Sequence, residues 1–377
     1  MKRFLILLMA ILFAGQFVFA AGGKQDGGGG AAKTVTLYTW WSESERTTGE
    51  ALVADFLASH PRLKVEENYI PYNEYHSKLN TMMAADNAPD VFYQTEALIN
   101  EWGEKGACAD LYPYFSKAGI DPDRFHVASA LFKTGNHLWG ISPSIVTTCL
   151  FYNKELFRQA GVTPPPDSAT NPWTWEQFVD AAKKLTKDAN GYTPNDPGFN
   201  YDLIVQYGAV APTDSSWKWL ALLYAAGTTL YKENGTALEI VGPVGTDMIQ
   251  KIANLSLVNR VAPTFAMTQS NAFSSLSTLL MNGQLAMFIG GTFQHPDFSN
   301  EKFDVGLAQI PSVSGKGNNM AWASGFQLRP NASQEAFELL HYLTDFNNWV
   351  EAAKNHGIAL NGLPQTNSTY NDPALNA

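Results

Sequence analysis

LWGISPSIVTTCLFYNKELFRQAG, residues 138–161, is the stretch that decides how the chain is divided. Leu138, Trp139 and Ile141 make one extended apolar run that ends at Pro143. Ile145, Val146, Thr147, Thr148, Cys149, Leu150 and Phe151 make a second, β-branched and apolar. Both runs read as buried strands. Asn153 then supplies a helix N-cap, Leu156, Phe157 and Ala160 an apolar face, and Gly161 a stop. Two strands in line, followed at once by a new helix, describe a chain that leaves one α/β lobe and founds another, with a hinge near residues 143–149. The other reading is one more strand–helix unit in a single sheet. This stretch alone leaves both open.

Working outward, 377 residues exceed one ordinary domain of roughly 150 residues, so two are expected. The 10 Trp, 15 Tyr and 22 Phe exceed what packing alone usually needs and point to ring-lined binding surfaces. A formal charge of −10 argues against nucleic acid or an anionic membrane as partner. Lys2 and Arg3 precede an apolar run, Phe4 to Phe19, and Val18-Phe19-Ala20 offers a signal-peptidase site. The run is short beside the ~20 residues of a membrane span. Residues 1–20 are therefore expected to be a cleaved signal peptide, with a glycine-rich flexible leader over 21–32. No cysteine lies near the site, so a soluble, exported protein without a lipid anchor is expected. Cys108 and Cys149 are the only cysteines; a bridge and two separate buried thiols are both compatible with their spacing.

Strand and helix alternate from the start of the mature chain. TVTLYTWW (34–41) reads as a strand, Ser42 with Glu45 as a capping box, and Leu52, Val53, Phe56 and Leu57 as a helix face. Leu63–Tyr69 and Asp90–Tyr93 read as further strands, with helices from Asn73 and over Ala97–Trp102. This alternation predicts a mostly parallel sheet with helices on both faces and ligands at the carboxyl ends of its strands. Beyond the hinge, helices are expected after Thr174, over Trp217–Ala226, over Ala272–Met281 and over Glu335–Phe346. Strands are expected over Leu285–Ile289, Asp304–Ala308 and Met320–Leu328.

No catalytic motif, phosphate loop or metal-binding spacing is present, and the seven His are scattered, so neither cofactor nor metal is expected. Glu43 or Glu45 with Glu96, Asp90 or Asp214 could make a glycosidase carboxylate pair, a weak signal in any chain of this size. What stands out is rings beside amides and hydroxyls at predicted strand ends and turns: Trp40, Trp41, Tyr93, Gln94, Trp217, Trp219, Phe293 and Trp322. Flat rings cover the apolar face of a sugar, and fixed polar groups take its hydroxyls. The competing reading is core packing, favoured for Trp219 and for one of Trp40 and Trp41.

A set of segments now resembles the family 1 extracellular solute-binding proteins of ABC transporters, the sugar-binding group that includes maltose-binding protein. They include TVTLYTWW, YNEYHSKLNTMMAADNAPDVF, LWGISPS, LFYNKELFRQAGVTPPP, PWTWEQFVDAAKKLT, GQLAMFIGGTF, WASGFQL, SQEAFELLHYLTDF and GIALNGLPQ, in this order. The resemblance implies a two-lobed, type II periplasmic binding protein fold, ligand in the cleft, and delivery to a membrane permease. It implies lobe 1 over 33–143 and 312–355, lobe 2 over 144–311 and 356–377, with crossings near Ser144–Cys149, Pro311 and His356–Leu360. By position it implies ligand contacts at Ser42, Glu43, Gln94, Glu96 and Phe293; joined to the rings read above, the expected ligand-binding residues are Trp40, Trp41, Ser42, Glu43, Tyr93, Gln94, Glu96, Ser144, Trp217, Gly291, Phe293, Trp322, Ser324 and Gly325. Where the family usually has Trp after its Gly-Gly turn this chain has Phe293, and maltose-binding protein's charged pair after the first strand is not reproduced. The family also usually runs on beyond the position of Ala377, so a shortened second lobe is expected. The expected protein is a monomeric, periplasmic carbohydrate binder, not an enzyme. The rivals are a binder of a polyol, glycerol phosphate or peptide, and a secreted glycoside hydrolase.

Overall fold

The computed structural model describes residues 32–368 except 167, 169–170, 233–235, 274, 299–302, 316–318, 359, 361 and 367. The expected signal peptide, nearly all of the leader and the chain end lie outside the described residues. The described strands are β1 (Lys33–Thr39), β2 (Leu63–Tyr69), β3 (Val91–Gln94), β4 (Leu131–Thr134), β5 (His137–Ile141), β6 (Ser144–Asn153), β7 (Lys187–Asp188), β8 (Ile204–Gln206), β9 (Met287–Gly291), β10 (Val305–Ala308), β11 (Ala321–Trp322), β12 (Gly325–Leu328) and β13 (Leu363–Pro364).

Two main sheets form. The first has the order β2-β1-β3-β12-β5-β4; in the second, β9, β10, β11 and β13 all pair with β6. The break at Ser142-Pro143 separates them: β5 ends the chain's first visit to one sheet and β6 opens the other. Asn153 caps the helix Lys154–Ala160, its Oδ1 accepting from Leu156 N at 3.0 Å, and Gly161 ends it with φ +64°. Mostly parallel sheets were expected; the first sheet is mixed and the described pairings of the second are antiparallel. β1 runs parallel to β2 and β3, whereas β12 is antiparallel to β3 and β5. Every named partner of β6 is antiparallel to it. The physical reason is the crossing itself: a strand that enters a sheet from the neighbouring one arrives against the local strand direction.

The cores follow the sheets. Val35, Leu37, Val91, Phe326 and Leu328 pack under Leu52, Phe56, Phe337 and Leu340 of the helices on one face of the first sheet. Tyr75, Leu79, Phe92 and Trp102 fill the other face. Around β6, Leu150, Phe178, Ala182, Leu222, Met248 and Ile289 form one cluster, and Phe151, Leu280, Phe288 and Phe298 another. Both predicted capping boxes are present, Ser42 with Glu45 and Thr174 with Gln177.

Several expected elements are divided. Met320–Leu328 is two strands in two sheets: β11 pairs with β6, and β12 pairs with β3 and β5. Ser312 bonds Trp173 and Trp175, Ser314 bonds Ala225, and Asn319 bonds Thr148. The passage back, expected near Pro311, is thus made between Trp322 and Gly325. The expected helix Ala272–Met281 is a 3-10 turn followed by Leu276–Met281, and Glu335–Phe346 breaks at Asp345, which caps a new helix Phe346–His356. The helix Pro243–Leu257 was not anticipated, because only Met248, Ile252 and Leu255 carry its apolar stripe. The segment after His356, expected with the second lobe, ties both: β13 pairs with Ile145 and Ser144, and Thr366 Oγ1 accepts from Phe346 N at 2.8 Å. Cys108 and Cys149 are separate buried thiols, each pushed up to about 12 by burial. Among the described residues, no helix is long and apolar enough to cross a membrane.

Candidate ligand-binding cleft

The C-terminal ends of β1 and β3 carry the first group of rings. Trp40 packs at 4.7 Å from Tyr93, 5.0 Å from Tyr75 and 5.5 Å from Tyr72, with His76 beside it. Tyr72 is exposed and Trp40 half-buried, so this corner keeps an open face. Tyr93 hydrogen-bonds Ser324; burial raises its phenol pKa, and the charges of Glu45 and Glu96 raise it further. Desolvation raises the carboxyl of Glu96, the first residue of the helix Glu96–Glu104, above its ordinary range.

The second group gathers rings far apart in sequence. Trp217, in the first turn of the helix Ser216–Ala225, stands 5.0 Å from Trp322 on β11 and 5.9 Å from Phe293 after β9. Gly291 makes room for this: a Cβ there would lie 2.3 Å from the Phe293 ring. Beside the rings a cavity of about 260 Å³ opens, lined by Ser42 from the first sheet's side and by Asp214, Lys218, Ser277, Phe293 and Asp297 from the second. Lys218 pairs with Asp214 at 2.7 Å and lies over the Trp217 ring, its ammonium 5.2 Å from the centroid. Ser277 Oγ donates to Asp297 Oδ2 at 2.8 Å.

The residues named from sequence fall into three sets. Trp217, Gly291, Phe293 and Trp322 come together, and Ser42 shares the lining of the cavity with Phe293. Trp40, Tyr93, Ser324 and Glu96 form the neighbouring corner. The rest are elsewhere. Trp41 is only 8 % exposed, held between Phe326 and Trp349 in the core. Gln94 is fully buried, its Oε1 accepting from Thr95 N. Glu43 pairs with Arg46 on the surface at 2.9 Å. Ser144 opens β6, its carbonyl accepting from Ser142 Oγ, and Gly325 is buried opposite Gln94. Sequence reasoning missed Lys218, Ser277 and Asp297. The i, i+4 spacing of Asp214 and Lys218 was the one readable signal, and it reads as an ordinary surface pair until the fold buries the lysine. A larger cavity of about 560 Å³ lies away from these strand ends, between Phe56, His60, Phe337 and Tyr342. Its floor rings Phe56 and Phe337 are fully covered. No group of three or more metal-ligating side chains occurs among the described residues.

The comparisons with known proteins now bear on this geometry. A family model for bacterial extracellular solute-binding proteins matches residues 40–345. The chain belongs to that family. Its members are substrate-binding proteins. Relatives include an arabinooligosaccharide-binding protein of Bacillus subtilis, 26% identical over 189 residues, or 48% of this chain and 40% of the relative. Another is the sn-glycerol-3-phosphate-binding periplasmic protein of Escherichia coli, 29% identical over 166 residues, 41% of this chain and 36% of the relative. The matched stretches thus span well under half of these relatives. Solved structures share the two-lobed fold over nearly the whole chain. An ABC substrate-binding protein of Listeria monocytogenes, solved with cycloalternan, superposes with a TM-score of 0.75 at 24% identity, covering 92% of this chain and 83% of its own. A solute-binding protein of Agrobacterium vitis, solved with D-mannitol, gives 0.71 at 20%, covering 92% and 80%. This solute-binding protein therefore has the type II periplasmic binding protein architecture.

Proposed function

We propose that this chain is the exported solute-binding component of an ABC importer and that it holds a carbohydrate between its two lobes before handing it to the permease. The observation that carries the reading is a cavity lined by Phe293, Lys218, Asp214 and Asp297 and faced by Ser42 from the other sheet, with Trp217 and Trp322 packed around the Phe293 ring. Rings suit the C–H face of a sugar, and the charged groups suit its hydroxyls, which must be paired once desolvated. The lobes of this reading meet at three crossings: Ser142–Ser144, Trp322–Gly325 and the segment before β13. The protein acts as a monomer in the periplasm, without lipid anchor, nucleic acid or catalysis.

The glycerol phosphate reading is less well supported. The cavity's Lys218 is already neutralised by Asp214, and Asp297 adds a second carboxylate. A thermal-shift screen over neutral sugars, polyols and glycerol 3-phosphate tests the reading, because a tight ligand raises the melting temperature by mass action. A neutral sugar should give the largest shift. Incubation of that sugar with the protein should yield no cleavage product; product formation would instead favour the hydrolase.

A further inference from the structure

Lys218 breaks two local rules at once. It is the third residue of the helix Ser216–Ala225, where the helix dipole disfavours a cation. It is also only 4% exposed, so its ammonium has given up most of its water. Its ion-pair partner Asp214 is 41% exposed, so water screens the attraction and it compensates poorly for either. Violations of local preference that gain nothing in stability belong to functional positions.

The chemistry left over at the pair says what it would take. An ammonium has three N–H donors. Asp214 Oδ2 uses one at 2.7 Å, and the Trp217 ring covers one side of the head group. Asp214 is 41% exposed on the open side of the cavity, so its carboxylate keeps acceptor capacity there. Donor and acceptor thus stand side by side beside a ring. We propose that Lys218 and Asp214 together grip a vicinal diol of an uncharged sugar, Lys218 donating to one hydroxyl oxygen while Asp214 accepts from its neighbour. The Phe293 ring, which lines the same cavity, is the one that faces that sugar unit. An anionic group fits this couple poorly, because it would meet Asp214 and Asp297 with a lysine that already has its counter-charge. The inference rests on the carbohydrate reading and narrows it to an uncharged ligand and a named polar anchor.

The test uses the full chain, the single variants Lys218→Met and Asp214→Asn, and the double variant Lys218→Met/Asp214→Leu. The probe is the neutral sugar or polyol giving the largest thermal shift, with glycerol 3-phosphate as the charged control. Calorimetry should show at least a tenfold loss of affinity in each variant, the scale of a hydrogen bond to a charged group. The melting temperature of the unliganded double variant should equal or exceed that of the wild type. Glycerol 3-phosphate should bind none of the four proteins measurably. If the variants bind the sugar like wild type, or the double variant melts well below it, the pair is structural and the inference fails while the carbohydrate reading stands. Binding of glycerol 3-phosphate that depends on Lys218 would overturn the uncharged-ligand inference. If no neutral compound binds the folded wild type, the carbohydrate reading falls and takes the inference with it.

Discussion

Trp40 and Trp41 follow one strand and meet opposite fates, because successive side chains leave a strand on opposite faces. The sequence required one of them to be core. It did not say which, since the face that covers Trp41 is built by Phe326 and Trp349, some three hundred residues later. The ring is so close-packed that a Cβ on Gly49 would lie 2.0 Å from it. Trp41→Ala should therefore cost about 3–5 kcal/mol of stability, as losing a core ring does. Phe293→Ala should do the reverse. Its ring is half-buried at the cavity, so the melting temperature should barely move while sugar affinity falls about ten- to a hundredfold. Chemical denaturation and calorimetry on both variants separate the two outcomes; equal binding by the folded Phe293→Ala protein would remove that ring from the site. The two cysteines make a further contrast. With both thiols buried and pushed up to about 12, neither should react with a thiol reagent at neutral pH until the chain is unfolded, when both should.

At the scale of elements, what was legible was what local chemistry controls. Caps, stops and strong apolar periodicity placed the helices after Ser42, Asn153, Thr174 and Ser333. What was not legible was where a continuous apolar run changes sheet, as in residues 320–328, because both halves are buried and look alike. The segment Leu363–Thr366 shows the same limit. It pairs with the start of β6, and then Gln365 O accepts from Val127 N while Thr366 bridges to His126. His126 is thereby sealed in, and burial, helped by the nearby His341, holds its imidazole down to about 3 from an ordinary 6.5. Burial lowers His341 as well. Below about pH 6.5 the unfolded chain binds protons that the folded chain refuses, so stability is full above that pH and falls as pH drops toward 3. The melting temperature should decline between pH 7 and 5, and less steeply in His126→Gln than in wild type. Gly208 supplies a sterically sharper case: a Cβ would lie 2.0 Å from the Ala182 carbonyl oxygen, a backbone atom that cannot step aside. Gly208→Ala should destabilise by about 1–3 kcal/mol or more, measured by urea denaturation.

For the whole molecule, the antiparallel arrival of β11, β12 and β13 matters more than any single contact. Each marks a place where the chain crosses between the sheets, and each falls beside β6 or β5. Lobes joined by adjacent short crossings can rotate about them, here against the contact of the helix Glu43–Ser59 with the turn Thr292–Phe298; hinge motions are absorbed by a few element-terminal residues. The ring cluster lies beside that axis: Trp322 is on β11, a strand of the second sheet that ends at a crossing, and Trp217 and Phe293 belong to the same side. A sugar seated against Phe293 would draw the Ser42 turn toward it, so binding and rotation are one event. Two measurements should then move together. The radius of gyration from solution scattering should fall when the best sugar saturates the protein, and tryptophan emission should change with the same midpoint. Locking the crossing should separate them. Gly362 lies against Ser144 with φ +78°, and a Cβ there would sit 2.8 Å from Ser144 Oγ. Gly362→Val, remote from the rings, should thus strain this crossing, and its effect on compaction and on emission can be read apart from any change in the rings. If scattering shows no compaction while emission still saturates, the ligand binds a pre-closed cleft, and β6 is a scaffold, not a hinge.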